Sequence, residues 1–241
     1  MPRVISILFL TVAITLTPHI AKAEASIHDP YESFNRKSFA VHLVLDKYLA
    51  RPIASAYTTV LPSPVRRTFS NVLRTWTAPV SIANDAFQGN WSKMGNDSAR
   101  FGINMTIGIL GIIDMASHLG FEQQSEDFGQ TLAKYGVGSG PYLFIPLLGP
   151  STPRHLVGRT VDMFLNPTFY FSESEYRDGI FALDVINTRS ELLEPLDDLA
   201  KSSSDLYTSY KSFYWQNRQF RIQDGATTFE SLPDITDLDD E

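Results

Sequence analysis

The 241-residue chain contains no cysteine. That excludes disulfides, thiolate metal sites and cysteine nucleophiles, and it leaves no cysteine through which a lipid could be attached. Histidine is scarce, with five in all: after the first 23 residues His28, His42, His118 and His155 lie too far apart for a paired zinc-hydrolase motif, and His118 reads as a capping or packing residue. Positive charge is also short, with 20 Lys and Arg against 27 Asp and Glu and a net charge of −7. Such a chain binds nucleic acid poorly, because phosphate recognition needs a cationic surface. Strand-type alternation is rare, and the few apolar runs lack hairpin turns. After the first 23 residues, no uninterrupted apolar run is long enough to span a bilayer.

Hydrophobic residues make up 43% and charged residues 20%, which implies a foldable chain with a sizeable core. The start reads as a secretory signal. Arg3 forms a short positive region, Val4–Leu16 is apolar, Pro18 interrupts, and Ala21-Lys22-Ala23 fits a small-x-small cleavage site. The expectation is a cleaved segment 1–23 and a mature chain starting at Glu24. Cleavage removes Arg3 and Lys22 and moves the net charge from −7 to −9. The alternative is an uncleaved anchor, for which the apolar stretch is too short.

The remainder reads as mainly helical. Asp29-Pro30 with Glu32 predicts a capped helix start, with apolar residues at helical spacing up to Pro52. Val65–Trp76 predicts another helix, and Pro79 begins or kinks a third that ends near Gly89. Helices are also expected around Leu156–Leu165, Glu173–Asn187, Ser190–Leu199 and Ser204–Phe220. In the last of these, Leu206, Tyr210, Phe213 and Tyr214 form a stripe that reads as core-facing. Residues 223–241 are acidic and unperiodic and predict a disordered tail. The domain therefore runs over 24–222.

Two segments stand apart. Phe101–Ala116 is very apolar yet carries Gly102, Gly108, Gly111, Asn104 and Asp114. It reads first as a buried core helix; the alternative is an interfacial helix that does not span. Asn104 and Asp114 are costly facing lipid, so they are expected to face the protein interior or a wet channel, with Arg100 snorkelling to a head-group region. The second segment, Glu126–Thr152, crowds Gly136, Gly138, Gly140, Pro141, Pro146, Gly149 and Pro150 around apolar Tyr142–Leu148. It predicts neither a regular helix nor a regular strand, and it must pack on protein or lie in a membrane interface. Glu126 and Asp127 read as a helix N-terminal pair.

Catalytic patterns are weak. Gly136-Val137-Gly138-Ser139-Gly140 lacks the spacing of a nucleophile elbow and of a dinucleotide loop. The chain reads as a non-enzyme with no cofactor.

Ordered blocks across Asp29–Phe220 resemble the MlaA (VacJ) family. They are Asp29-Pro30-x-Glu32-x-Phe34-Asn35-Arg36, Arg51-Pro52-Ile53-Ala54, Leu61-Pro62-x-Pro64-Val65-Arg66 and Arg100-Phe101-x-x-Asn104-x-Thr106-x-Gly108-x-x-Gly111-x-x-Asp114-x-Ala116. Phe128-Gly129-x-Thr131-Leu132, Tyr135-Gly136-Val137-Gly138-x-Gly140-Pro141-Tyr142, Thr188-Arg189-x-x-Leu192-Leu193 and Ser202-Ser203-Ser204-Asp205 complete the set.

The resemblance implies an all-α, ring-shaped domain embedded in the Gram-negative outer membrane on its periplasmic side, enclosing an amphipathic channel. It implies removal of misplaced outer-leaflet phospholipid and transfer to a periplasmic carrier of the Mla type, with association to trimeric porins. Asn104, Asp114 and Asp162 are then candidate channel or lipid contacts, and Gly136, Gly138, Gly140 and Pro141 a candidate hinge or lip. Many members are lipoproteins; this sequence departs from them in lacking the cysteine, so its membrane hold is expected to rest on apolar surface. The competing reading is a soluble periplasmic structural or lipid-binding protein that uses the same apolar helices as core.

Overall fold

A computed structural model of the chain describes residues 27–171 and 174–225. The expected signal segment 1–23, and residues 226–241 of the expected tail, lie outside them. Eleven helices carry the described fold, with one short hairpin: α1 (Glu32–Leu45), α2 (Arg51–Val60), α3 (Ser63–Phe87), α4 (Trp91–Thr106), α5 (Met115–His118), α6 (Phe128–Lys134), β1 (Leu143–Ile145), β2 (Gly149–Ser151), α7 (Pro153–Leu165), α8 (Thr168–Phe171), α9 (Ser174–Glu191), α10 (Leu193–Ser202) and α11 (Leu206–Ile222).

Local chemistry sets many of the boundaries. Asn90, Asp114, Asp127, Thr152 and Asp205 each accept a backbone N–H of the helix they begin, satisfying donors that have no partner within the helix. Pro153 follows its cap at the first helical position, where a missing N–H costs nothing. Gly89 ends the α3 turn at φ +69°, a conformation that glycine adopts without strain.

Several expectations are corrected. Pro52 does not end the first helix: the chain passes through a single π turn, Asp46–Ala50, directly into α2. Pro79 lies inside one continuous α3. Asp29 does not cap α1. Its carboxylate instead accepts from Asn35 Nδ2 (2.8 Å), Tyr207 Oη (2.5 Å) and Lys211 Nζ (3.1 Å), tying the chain start to α11. Residues 126–152 contain regular structure after all. Phe128–Lys134 is helical, and β1 pairs antiparallel with β2 in the register Leu143–Ser151 and Ile145–Gly149. The turn was hidden because Leu147, at φ 67°, and Gly149, at φ +80°, make it without a two-residue Asn-Gly type signal.

Helix contacts close a circuit. α3 touches α9, α9 touches α10, α10 touches α11, α11 touches α6, and α6 returns to α3. α4 packs along α3, α7 along α6, α2 along α9, and α1 against β1. This is the all-helical ring architecture that the sequence blocks implied. No helix among the described residues is long and apolar enough to cross a membrane.

The core is small and aromatic. Phe39, Tyr142, Phe144, Tyr207 and Tyr214 are buried together, with edge-to-face contacts such as Phe39–Phe144 at 5.1 Å between ring centroids. Phe213, expected on this stripe, faces outward. Among the described residues only eight hydrophobic side chains are buried, against seventeen polar or charged ones, while thirty-two large hydrophobics are exposed. A sizeable apolar core is therefore absent, and polar networks hold the interior. Asn35 is an example: fully buried, it donates to the Tyr142 carbonyl (3.0 Å) and accepts from the Phe144 N–H (2.9 Å), fastening the hairpin to α1. Arg189 grips Asp46 through two hydrogen bonds (2.6 and 2.9 Å), joining α9 to the π turn. Arg218 on α11 grips Asp127, the cap of α6. Asp224 departs from the tail expectation, since it pairs with Lys134 (2.8 Å) and Lys93 (2.5 Å).

Asp85 on α3 is fully buried, and neither carboxylate oxygen has a hydrogen-bond partner. Burial first, then the charges of Asp97 and Glu126, push its pKa up to about 7. A raised carboxyl pKa contributes stability that is complete below the unfolded value of 3.8 and lost as pH rises through about 7. Asp85→Asn is therefore expected to stabilise the protein at pH 8 by at least about 1 kcal/mol, or roughly 2–4 °C in Tm. It should leave Tm unchanged at pH 4. Equal shifts at both pH values in thermal denaturation would contradict this assignment.

Candidate functional site

The segment after α4 departs most from expectation. It is not a buried helix. The helix stops at Thr106, and Ile107–Ile113 forms a tight loop. Ile107, Ile109, Leu110, Ile112 and Ile113 are all exposed. Ile109 (φ 54°) and Leu110 (φ 57°) are consecutive left-handed residues, each costing about 1–2 kcal/mol. Hydrogen bonds hold this strained turn closed. Gly111 N–H donates to the Asn104 carbonyl (2.9 Å), and Ile113 N–H to the Gly108 carbonyl (3.0 Å). Gly108 admits no side chain, since a Cβ there would lie 2.4 Å from the Ile113 carbonyl oxygen. Gly111, at φ +92°, presses against Thr75 of α3, and Trp76 Nε1 donates to the Leu110 carbonyl (3.3 Å).

A polar clamp pins both ends of the loop. Asp114 accepts two hydrogen bonds from Arg100 Nη2 (3.0 and 3.1 Å), one from Asn104 Nδ2 (2.9 Å) and one from the Ser117 hydroxyl (2.6 Å). Asn104 Oδ1 accepts the Ala116 N–H (2.9 Å), completing the link between the loop's two flanks. Burial acts to raise the Asp114 pKa, but the bonds from Ser117 and Asn104 and the charge of Arg100 outweigh it and hold it at about 2. Arg100 is itself buried and also donates to the Phe121 carbonyl, so it does not snorkel outward as expected.

Two cavities flank the same turn of α3. The smaller, about 90 Å³, is polar and includes Arg100, Asn104 and Asp114 in its lining. The larger, about 510 Å³, lies between α3, α9 and the segment joining α7 to α8. Its apolar lining includes Leu73, Trp76, Met163, Phe169, Ile180 and Phe181; its charged lining is Arg74, Arg177, Asp178, Asp184 and Glu191. Arg74 and Thr77 line both cavities. The residues between them, Thr75 and Trp76, hold the exposed loop. One helical turn thus connects apolar surface, amphipathic cavity and polar pocket.

Arg74 is loosely held, 3.7 Å from Glu191 and 3.4 Å from Gln123. Glu191 also accepts from the Ser70 hydroxyl (2.9 Å) and Asn187 Nδ2 (3.2 Å). Arg177 stacks over the Phe169 ring at 5.3 Å, a cation–π contact.

Of the residues singled out in the sequence, Asn104 and Asp114 come together, and both face inward. Asp162 does not join them. It lines neither cavity and accepts from the Phe128 N–H (3.1 Å) and Asn84 Nδ2 (2.9 Å), a seam between α7, α6 and α3. Gly136, Gly138, Gly140 and Pro141 also line neither cavity. They form a turn laid on α7, where Arg154 donates to the Val137 carbonyl (2.6 Å) and Gly140 abuts Pro153. Gly136 and Gly140 have positive φ; Gly138 does not. Sequence reading missed Arg74, Trp76, Asp184 and Glu191. A signal for α9 existed: Arg177, Asp184 and Glu191 recur every seven residues on one face. Among the described residues no cluster suits a metal ion. Ser151 is fully buried with its hydroxyl 3.2 Å from His155 Nδ1, and burial, then Arg218 and Arg159, lower the His155 pKa to about 4.

Comparison with known proteins places this geometry in context. A family model described as MlaA lipoprotein matches residues 27–221. The chain is 33% identical over 224 residues to the "Intermembrane phospholipid transport system lipoprotein MlaA" of Escherichia coli K12, covering 88% of each. It is 30% identical to the Haemophilus influenzae protein of the same name, covering 86% of this chain and 85% of that one. An uncharacterized protein of Rickettsia felis is 34% identical, covering 82% of this chain and 79% of its own length. A solved structure from work on the "structural basis for maintenance of bacterial outer membrane lipid asymmetry" superposes with a TM-score of 0.73 at 33% identity, covering 80% of this chain and 98% of that one.

The clamp yields a prediction. Asp114→Leu leaves the buried Arg100 without its carboxylate and is expected to cost about 3 kcal/mol. In the wild type the Asp114 contribution is present above about pH 4 and fades as pH falls through about 2, because the folded pKa is depressed from 3.8. Denaturant titrations should show a wild-type advantage at pH 7 that shrinks toward pH 2. Matching midpoints at pH 7 would show that the clamp carries no stability.

Proposed function

The chain belongs to the MlaA family, and on that premise we propose that it is a non-enzymatic passage for phospholipid at the Gram-negative outer membrane. In this reading it takes phospholipid misplaced in the outer leaflet and passes it to a periplasmic carrier, maintaining lipid asymmetry. The protein sits on the periplasmic side of that membrane, beside a trimeric porin.

The observation that carries this reading is the inverted distribution of side chains: apolar residues outward, polar residues inward, and an amphipathic cavity between α3 and α9. Scattered exposed hydrophobics are ordinary, whereas a continuous loop of five is a contact surface. Ile107–Ile113 buries in acyl chains at about 1.5–3 kcal/mol for each fully buried side chain, enough to hold the protein without an attached lipid. The tight turn suits one leaflet, since its backbone bonds are satisfied internally, as hydrocarbon requires.

The cavity matches one phospholipid in length. Its α9 wall from Arg177 to Glu191 is about 21 Å long at 1.5 Å per residue. One leaflet with its head groups is about 20–22 Å, half of the full bilayer. Apolar Leu73, Trp76, Ile180 and Phe181 receive acyl chain, and the charged residues receive the head group. Asn104 and Asp114 act at one remove, holding the loop in place.

The test is transfer of labelled phospholipid from vesicles containing the protein to a soluble periplasmic lipid carrier. Transfer should rise well above vesicles alone, and Phe181→Asp should abolish most of the gain while the protein stays in the membrane. A protein that fractionates with soluble periplasm, or that leaves transfer unchanged, contradicts the proposal.

A further inference from the structure

The charges inside the larger cavity do not balance. Arg177, Asp184 and Glu191 occupy successive positions of a seven-residue repeat on α9, about 10.5 Å apart. Asp178 adds a third carboxylate to that wall, and Arg74 faces it from α3. The lining therefore carries two guanidinium groups against three carboxylates. Their partners differ as well. Glu191 is hydrogen-bonded by Ser70 and Asn187 and lies near Arg74. Asp184 makes no hydrogen bond or ion pair among the described residues, although it faces a cavity with room for a ligand. Its surroundings disfavour its charge, through burial first and then through Glu191, with Arg74 only partly offsetting them. The cavity thus lines its α9 wall with solvent-exposed carboxylates, of which Asp178 and Asp184 have no ion-pair partner among the described residues while Glu191 has Arg74.

A phosphodiester needs a guanidinium. Arg74 is the guanidinium best placed, because its present contacts at 3.7 and 3.4 Å are long and easily exchanged. A head group ending in a hydroxyl would add one negative charge and leave Asp184 and Glu191 without a new partner. A head group ending in an ammonium brings the missing cation within the same molecule. We propose that the cavity prefers zwitterionic, ammonium-bearing phospholipid over anionic phospholipid, with Arg74 taking the phosphodiester and Asp184 and Glu191 taking the ammonium. This deepens the phospholipid reading of the cavity and rests on it.

The experiment uses the full protein reconstituted into vesicles of equal phosphatidylethanolamine and phosphatidylglycerol. The protein is then extracted in lipid-free detergent, and its retained lipid is identified by mass spectrometry. The wild type should retain phosphatidylethanolamine over phosphatidylglycerol by about threefold, the scale of one partly exposed ion pair. That ratio should fall as salt is raised, because water-accessible charges are screened. Asp184→Asn combined with Glu191→Gln should return the ratio to that of the vesicle. Lipid retained at the vesicle ratio by the wild type, or the same enrichment in the double variant, overturns the preference while leaving the passage standing. A wild type that retains no lipid overturns both.

Discussion

The carboxylate of Asp114 does several jobs that are usually divided among separate residues. It caps α5, neutralises the buried Arg100, and binds Asn104, whose other end holds the Ala116 N–H. Without that knot the loop between α4 and α5 loses the side-chain link between its two flanks. Two consecutive left-handed residues, one of them β-branched, are costly in any chain. They persist where the surroundings over-determine them. Here the surroundings are a glycine with no room for a side chain, a tryptophan bonding the loop carbonyl, and the clamp. What the strain achieves is exposure: five large apolar side chains are presented in seven residues.

That loop is one instance of a rule that governs the whole ring. The interior is held by polar residues whose bonds span distant segments, such as Asn35 to the hairpin, Arg189 to the π turn and Arg218 to the α6 cap. Buried polar groups are stabilising when fully partnered and expensive when not. Asp85 is an exception, and burial first, then the charges of Asp97 and Glu126, favour its protonated form. A protein built this way in water would expose far too much apolar surface. On the proposed reading, the same surface set in a bilayer is its attachment, and the polar interior is where a head group travels.

Much of this was legible in the sequence, and the failures have physical causes. The helical periodicities placed α7, α9, α10 and α11 close to their observed positions, and Asp127 was rightly read as a helix N-terminal residue. Family-specific blocks implied the ring. The apolar segment 101–116 was misread because hydrophobicity alone does not distinguish burial in the core from exposure at the surface. Gly108 and Gly111 lie in the loop that ends the helix. The hairpin was hidden by a turn with a left-handed leucine. Pro52 looked like a helix end and Pro79 like the start or kink of another helix, but one sits in the first turn after a π turn and the other is absorbed within α3. Arg100 was expected at a head-group surface because nothing in one dimension pairs it with a carboxylate fourteen residues on. Arg74 and Glu191 were invisible for the same reason, being 117 positions apart and meeting only when α3 packs on α9.

The central claim is that phospholipid occupies the interior between α3 and α9, and not merely the outer surface. Photo-crosslinking tests it directly. A photoreactive residue is placed in turn at Leu73, inside the cavity, and at Ile109, on the exposed loop, in cells carrying otherwise intact protein. The account predicts phospholipid adducts at both positions by mass spectrometry. Adducts at Ile109 with none at Leu73 would describe a membrane-attached ring with no lipid passage, and would contradict it.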